Sequence, residues 1–83
     1  MIGVAKPEDD TVKKSAQEIA DDLAERIRRG EWLPGAQLPP YPDLQRRYGD
    51  VSHATVQRAM GLLRYQGLVE YQHGRGNYVK GEQ

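Results

Sequence analysis

A run of small and hydrogen-bonding residues follows a turn in the second half of the chain: Ser52, His53, Ala54, Thr55, Gln57 and Arg58. Their spacing is helical, because the apolar residues nearby repeat every three or four positions, at Val56, Ala59, Met60 and Leu63. Ser52 is suited to cap the start of this helix, since a serine hydroxyl accepts hydrogen bonds from the first free amides. The face opposite the apolar stripe then presents His53, Ala54, Gln57, Arg58 and Gly61.

These side chains match hydrogen-bonding groups that DNA exposes in its major groove. Arg58 can make two hydrogen bonds to guanine, Gln57 can make two to adenine, and Ala54 can contact a thymine methyl group. Ser52 and Thr55 are better placed for phosphate, because a helix N-terminus attracts negative charge. An ordinary solvated helix face carries similar residues, so the helix alone leaves both interpretations open.

A glycine-rich loop near the C-terminus offers a second basic contact. His73-Gly74-Arg75-Gly76 separates two segments typical of strands, Leu68 to Gln72 and Asn77 to Val79. The two glycines permit close backbone approach, and the Arg75 guanidinium can follow a narrow minor groove. His73 could reach a phosphate or a base edge, or serve only as a turn residue.

Two further helices are predicted to support these parts. The first runs from about Ser15 to Arg29, because Ser15-Ala16-Gln17-Glu18 forms a capping box and Gly30 is suited to end it. The loop that follows places three apolar residues at one end of the core, Trp32, Leu33 and Leu38. Gln37-Leu38 could form a very short strand.

The second supporting helix starts near Tyr41 or Pro42, where a proline is tolerated because its missing amide would have no helical partner. Leu44 and Tyr48 face the core. The same helix also carries two exposed arginines that are candidates for contacts to the DNA backbone, Arg46 and Arg47.

The composition indicates one small domain. The 83 residues are 37% hydrophobic and include no cysteine and two histidines, so we expect no disulfide, metal centre or cofactor. No apolar run is long enough to span a bilayer or to form a signal peptide, so we expect a cytoplasmic protein that does not bind membranes. No nucleophile, base and orienting residue occur together, so the sequence does not predict an enzyme.

The charge is unevenly distributed although the formal net charge is zero. Residues 1–43 hold 6 Lys or Arg and 9 Asp or Glu, whereas residues 44–80 hold 6 Lys or Arg and 2 Asp or Glu. Because the basic half contains both candidate contact segments, the distribution favours a nucleic-acid-binding surface there.

Several blocks of the chain occur in the order found in a known family: Ile19 to Leu23, Gly30 to Pro39, Val51 to Met60, Gly67 to Glu70 and Gly74 to Val79. Over about Ser15 to Lys80 the chain resembles the DNA-binding domain of GntR-type bacterial transcriptional regulators. The resemblance implies a three-helix winged helix-turn-helix, mainly α with a small β-hairpin (α+β). It also implies a homodimer on a palindromic operator, and usually repression.

The resemblance places DNA contacts at the starts of the second and third helices and in the hairpin loop. Six residues match or approach the family pattern there: Ser52, Thr55, Arg58, Gly74, Arg75 and Gly76. The family usually has arginine at the position of His53, and often has arginine at the position of Gln57. Pro40-Tyr41-Pro42 replaces Ser-Glu-Arg, which makes Tyr41 the candidate contact at that helix start, and Asp50 resembles a one-residue insertion. We therefore expect an unusual operator and weaker binding per monomer.

The expected organisation is a disordered arm at residues 1–14, a winged helix-turn-helix at residues 15–80 and a polar tail at residues 81–83. Members of the family normally carry a C-terminal effector-binding and dimerisation domain, and this sequence ends at Gln83. The expectation is therefore either an excised DNA-binding domain or a naturally small regulator.

The sequence predicts a transcriptional regulator that binds double-stranded DNA sequence-specifically. The helix that begins at Ser52 would read the major groove and the loop at His73–Gly76 the minor groove. A winged helix that docks a protein partner is the alternative, and the zero net charge and missing arginines favour it. RNA binding is less favoured, because no sheet of stacking aromatic residues is evident.

Overall fold

Three helices and a two-stranded antiparallel sheet make up the computed structural model, which describes residues 14–80. The helices are α1 (Ala16–Arg28), α2 (Tyr41–Arg47) and α3 (His53–Tyr65), and the strands are β1 (Val69–Gln72) and β2 (Gly76–Val79). The predicted order and α+β class are confirmed. Except for Lys14, the predicted arm lies outside the described residues, as does the predicted tail at residues 81–83.

Local hydrogen bonds fix the helix starts at the predicted residues. Ser15 Oγ accepts from the Glu18 amide at 3.1 Å, while Glu18 Oε1 accepts from the Ser15 amide at 2.9 Å, which completes the capping box of α1. Ser52 Oγ caps α3 in the same way, by accepting from the Thr55 amide at 3.1 Å. Helix α2 begins after Pro40 without a side-chain cap.

The core lies between α1 and α3, whose apolar faces pack against each other. Its largest fully buried side chains come from four elements: Ile19, Leu23, Leu44, Val56, Met60, Leu63 and Val69. Burying each such side chain contributes on the order of 2 kcal/mol. No helix among residues 14–80 is long and apolar enough to cross a membrane.

One predicted core residue is exposed. Leu38 is buried and Trp32 packs partly against the core, but 66% of Leu33 is accessible to solvent. The Ala36 amide donates to the Leu33 carbonyl at 2.9 Å, so the backbone reverses at Pro34-Gly35 and leaves Leu33 at the outer corner. The prediction that Leu33 closes the core was wrong.

The hairpin pairs Val69 with Val79 and Gln72 with Gly76. Gly76 therefore belongs to β2, so the connecting turn spans only residues 73–75 and is shorter than predicted. The predicted short strand exists as a single antiparallel bridge between Gln37 and Tyr78. This bridge ties the loop after α1 to the outer edge of the hairpin.

A polar cluster fastens α2 to α1. Tyr48 donates its hydroxyl to Asp22 at 2.7 Å, and Arg26 Nε donates to the same carboxylate at 2.9 Å. Partial burial tends to raise the pKa of Asp22, but these two hydrogen bonds outweigh it and hold the pKa below its usual value. Arg26 also pairs with Glu31 at 3.0 Å, which anchors the loop after α1.

The Asp22 hydrogen bonds predict an acid-dependent loss of stability. Because the pKa is lower in the folded chain, the stabilisation is complete above the unfolded value, about 3.9, and is lost as the pH falls through the folded value. The Asp22 side chain is 39% exposed, so solvent screening reduces the gain, and Asp22→Asn should cost about 1 kcal/mol at pH 7. Urea unfolding at pH 7 and pH 3 measures both effects.

Asp21→Asn is the matched control, since Asp21 is exposed and, among the described hydrogen bonds, its side chain accepts only from Gln17 Nε2, at 2.9 Å. Between pH 7 and pH 3, the Asp22→Asn protein should lose less stability than the unmodified chain and the Asp21→Asn protein. Equal losses in all three would show that Asp22 does not carry the acid sensitivity.

Candidate nucleic-acid interface

The first two turns of α3 present the predicted contact residues to solvent. His53, Ala54, Gln57 and Arg58 are exposed, and Thr55 is half-buried. Ser52 Oγ and Thr55 Oγ1 lie 2.9 Å apart and share one hydrogen bond. One of the two hydroxyl hydrogens makes this bond, so the hydrogen of the accepting hydroxyl remains available to an acceptor such as phosphate.

The hairpin turn holds Arg75 outward. The Arg75 amide donates to the Gln72 carbonyl at 2.8 Å. Gly74 has a φ of 78°, a backbone conformation that residues with a side chain rarely adopt. Gln37 Nε2 donates to the Arg75 carbonyl at 2.6 Å from the other side. The backbone of the tip is thus fixed at two points while the Arg75 side chain is exposed.

Two neighbouring grooves lie between α3 and the hairpin tip. The first, which we call the helix groove, has a volume of about 560 Å³ and is lined by Tyr41, His53, Gln57, Arg64 and Tyr71. The second, the hairpin groove, has a volume of about 230 Å³, and its lining includes Tyr41, Tyr71, Gly74 and Arg75. Because Tyr41 and Tyr71 line both grooves, the outer face of α3 and the hairpin tip border one continuous surface.

A buried amide lies beneath this surface. Asn77 of β2 is 4% exposed; its Oδ1 accepts from Arg64 Nη1 at 3.1 Å and its Nδ2 donates to the Tyr41 hydroxyl at 3.2 Å. The Tyr41 ring packs against His53, with ring centroids 5.1 Å apart and planes tilted by 51°. A chain of polar and aromatic contacts therefore joins β2, α3 and α2.

The predicted contacts on α2 occupy different surroundings. Tyr41 is part of the surface between the grooves. Arg47 instead lies beside the loop after α1: its Cζ is 5.9 Å from the centre of the Trp32 ring, and its Nη1 is 3.9 Å from Glu31 Oε2. Arg46 is exposed and pairs with Asp43 one turn earlier. The structure does not bring the two arginines to the grooves that hold the other predicted residues.

His73 lines neither groove, but its ring contacts Tyr71, which lines both. Their rings meet edge to face, with centroids 6.4 Å apart and planes at 84°. This contact positions the exposed His73 ring at the tip.

Helix α1 carries more of the exposed acidic residues than any other helix or strand among residues 14–80. Glu18, Asp21 and Glu25 are exposed, and α1 packs its opposite face against the buried stripe of α3. The acidic face and the exposed face of α3 therefore lie on opposite sides of the core. The acidic side chains of α1 therefore face away from the surface that carries Arg58 and Arg75.

The sequence analysis missed four residues that form or support this surface: Gln37, Arg64, Tyr71 and Asn77. One signal was available, because asparagine is uncommon in strands and Asn77 lies two positions before Val79, on the same inward face of β2. The partners of Asn77 are 13 and 36 positions away, so no local pattern identifies them.

Comparison with known proteins places this arrangement in a family. Residues 15–79 match the sequence profile of bacterial regulatory proteins of the gntR family. The chain belongs to the gntR family. Its described part has the fold of the DNA-binding domains of that family, the winged helix-turn-helix.

Two gntR-family relatives are named as repressors. The chain is 44% identical over 66 residues to the mannosyl-D-glycerate transport/metabolism system repressor MngR of Escherichia coli, a match that covers 80% of this chain and 27% of MngR. It is 34% identical over 62 residues to the transcriptional repressor NanR of Klebsiella aerogenes, a match that covers 75% of this chain and 24% of NanR. The chain thus spans about a quarter of the length of these relatives.

Solved structures include gntR-type domains bound to DNA. The AraR DNA-binding domain in complex with operator ORR3 is 30% identical, with a TM-score of 0.72, and the match covers 77% of this chain and 76% of that one. The same domain in complex with operator ORX1 is 25% identical, with a TM-score of 0.75, and the match covers 95% of this chain and 94% of that one. These similarities support DNA binding in transcriptional regulation, and the family is one of regulators, not of enzymes.

A substitution at Gly76 tests the close contact between β2 and Gln37. The φ of Gly76 is 120°, and a Cβ there would lie 3.1 Å from Gln37 Nε2. Gly76→Ala should therefore destabilise the fold by about 1–3 kcal/mol in urea unfolding. Gly61→Ala in α3 is the control, because a Cβ there meets Arg64 Nη2 at an ordinary 3.8 Å and helix propensity favours alanine. A Gly76→Ala protein as stable as the unmodified chain would contradict the close contact.

Proposed function

We propose that this chain binds double-stranded DNA sequence-specifically as the DNA-binding part of a transcriptional regulator, with α3 in the major groove and the hairpin tip in the adjacent minor groove. The supporting observation is the continuous surface that links the first turns of α3 to Arg75 through Tyr41 and Tyr71. A helix and a hairpin on one surface can occupy two neighbouring grooves of one duplex.

The exposed side chains suit distinct roles on that duplex. Arg58 and Gln57 can form paired hydrogen bonds with base edges, and Ala54 leaves room for close approach. The free hydroxyl hydrogen of the Ser52–Thr55 pair and the α3 N-terminus suit phosphate. Arg58 and Arg75 form no ion pair within residues 14–80, so both guanidinium groups are available.

We further propose repression as the regulatory effect, a homodimer on a palindromic operator as the bound state, and the cytoplasm as the site of action. MngR and NanR, both named as repressors, support the first. A two-fold operator would present two half-sites about one helical turn apart, and linking two weak contacts raises the overall affinity.

Selection of bound duplexes from a random library tests this proposal directly. The 83-residue chain should enrich one sequence motif, and a palindromic motif would report the dimer and its half-site spacing. Enrichment of no motif, together with no binding to random duplex at low salt, would contradict DNA binding.

Two exposed tyrosines favour a second function, docking of a protein partner. Tyr65 at the end of α3 is 91% exposed and Tyr71 is 51% exposed, and tyrosine is common at protein interfaces. The same selection separates the two functions, since a docking module has no need to bind duplex.

Arg75 and Arg58 should affect DNA binding differently. Arg75→Ala should weaken binding to most sequences and lower the salt slope by about 1, because it removes a charge near the minor-groove backbone. Arg58→Ala should relax preference at one or two base pairs, at a cost of about 1–3 kcal/mol on the selected sequence.

Titrations on selected and random duplexes at several salt concentrations measure both effects. Arg28→Ala, which removes an exposed charge from α1, is the matched control and should change neither affinity nor salt slope. The assignment of the surface fails if the Arg28 variant is affected as strongly as the other two.

A further inference from the structure

The hydrogen bonds around Asn77 determine where the Tyr41 hydroxyl hydrogen can point. An arginine side chain has only donors, so the atom of Asn77 that faces Arg64 must be the oxygen, Oδ1. The amide nitrogen therefore faces Tyr41. Because this nitrogen is also only a donor, the Tyr41 oxygen must accept, at 3.2 Å.

The hydroxyl hydrogen of Tyr41 is consequently left for another partner. The Tyr41 oxygen uses a lone pair for Asn77, and no acceptor for its hydrogen is found among the described residues. Tyr41 lines both grooves, so a partner can approach this hydroxyl from solvent. Asn77 thereby makes Tyr41 a hydrogen-bond donor toward the surface.

The position of Tyr41 indicates what it would meet. If α3 enters the major groove and the hairpin tip the adjacent minor groove, the DNA strand that separates the two grooves crosses the surface between them. Tyr41 lies on that surface, next to His53 on one side and lining the hairpin groove on the other. Phosphate oxygens, which only accept, are the groups this strand presents, and tyrosine is among the side chains that bind them.

We propose that Tyr41 donates its hydroxyl hydrogen to a phosphate oxygen of the strand between the two grooves, and that Asn77, oriented by Arg64, is the positioning residue that directs this donor outward. The inference rests on the proposed DNA-binding function. It assigns Arg64 to the orientation of Asn77, where charge alone would suggest a free DNA contact.

A double-mutant cycle tests the coupling. Tyr41→Phe removes the donor and should weaken binding about three- to tenfold. Asn77→Asp keeps the side-chain shape and still accepts from Arg64, but it offers a second acceptor to Tyr41. The hydroxyl then donates inward, so Tyr41→Phe in the Asn77→Asp background should change the dissociation constant by less than about 1.5-fold.

The charge that Asn77→Asp adds is present in both members of its pair, so it cancels in the comparison. Arg64→Met provides a second background: without the arginine, the amide can turn its oxygen toward Tyr41, and the effect of Tyr41→Phe should again shrink. Tyr65→Phe, which removes a hydroxyl from an exposed residue that lines neither groove, should leave binding unchanged.

Binding is measured on two probes, the duplex enriched by selection and a random-sequence duplex of equal length. A phosphate contact predicts the same fold-change for Tyr41→Phe on both. An effect restricted to the selected duplex would overturn the phosphate assignment, and an undiminished effect of Tyr41→Phe in both the Asn77→Asp and Arg64→Met backgrounds would overturn the role of Asn77. Failure of the unmodified chain to bind either duplex would instead remove the proposed function itself.

Discussion

The paired hydrogen bonds of the Asn77 amide join the three elements that border the candidate DNA-binding surface. An amide that is 4% exposed is costly to leave unpaired, by roughly 1–3 kcal/mol, so Arg64 and Tyr41 must stay within reach of it. Arg64 belongs to α3, Tyr41 begins α2, and Asn77 lies in the hairpin. Helix α3 and the hairpin are therefore held in one relative position, which would lower the ordering cost of the proposed binding to two neighbouring grooves.

The rest of the fold supports that junction from behind. The apolar faces of α1 and α3 form the core, and the Asp22–Tyr48 hydrogen bond fastens α2 to α1 across 26 positions of sequence. Gln37 reaches the Arg75 carbonyl from the loop after α1 and steadies the hairpin tip. The acidic residues of α1 lie on the far side of the core, so distance and salt would weaken their repulsion of a duplex bound as proposed.

The helices could be predicted from the sequence because their signals are local. Ser15 and Ser52 cap helices whose apolar residues repeat at helical spacing, and Gly74 marks the turn that exposes Arg75. The outward positions of His53, Gln57 and Arg58 follow from the same periodicity.

The contacts of Asn77 with Arg64 and Tyr41 could not be predicted, because they depend on how three separate elements pack. Leu33 was misassigned for a related reason: hydrophobicity alone does not say which residue of a tight turn faces outward. The predicted DNA contacts themselves remain predictions.

The central claim is that the start of α3 and the hairpin tip engage one duplex together. Amide chemical shifts of the isotope-labelled chain, followed during titration with the selected duplex, test it most directly. The account predicts that residues 52–58 and 72–76 shift together and saturate at the same duplex concentration, while the exposed acidic face of α1 does not respond. Shifts confined to only one of these two segments, or centred on α1, would contradict it.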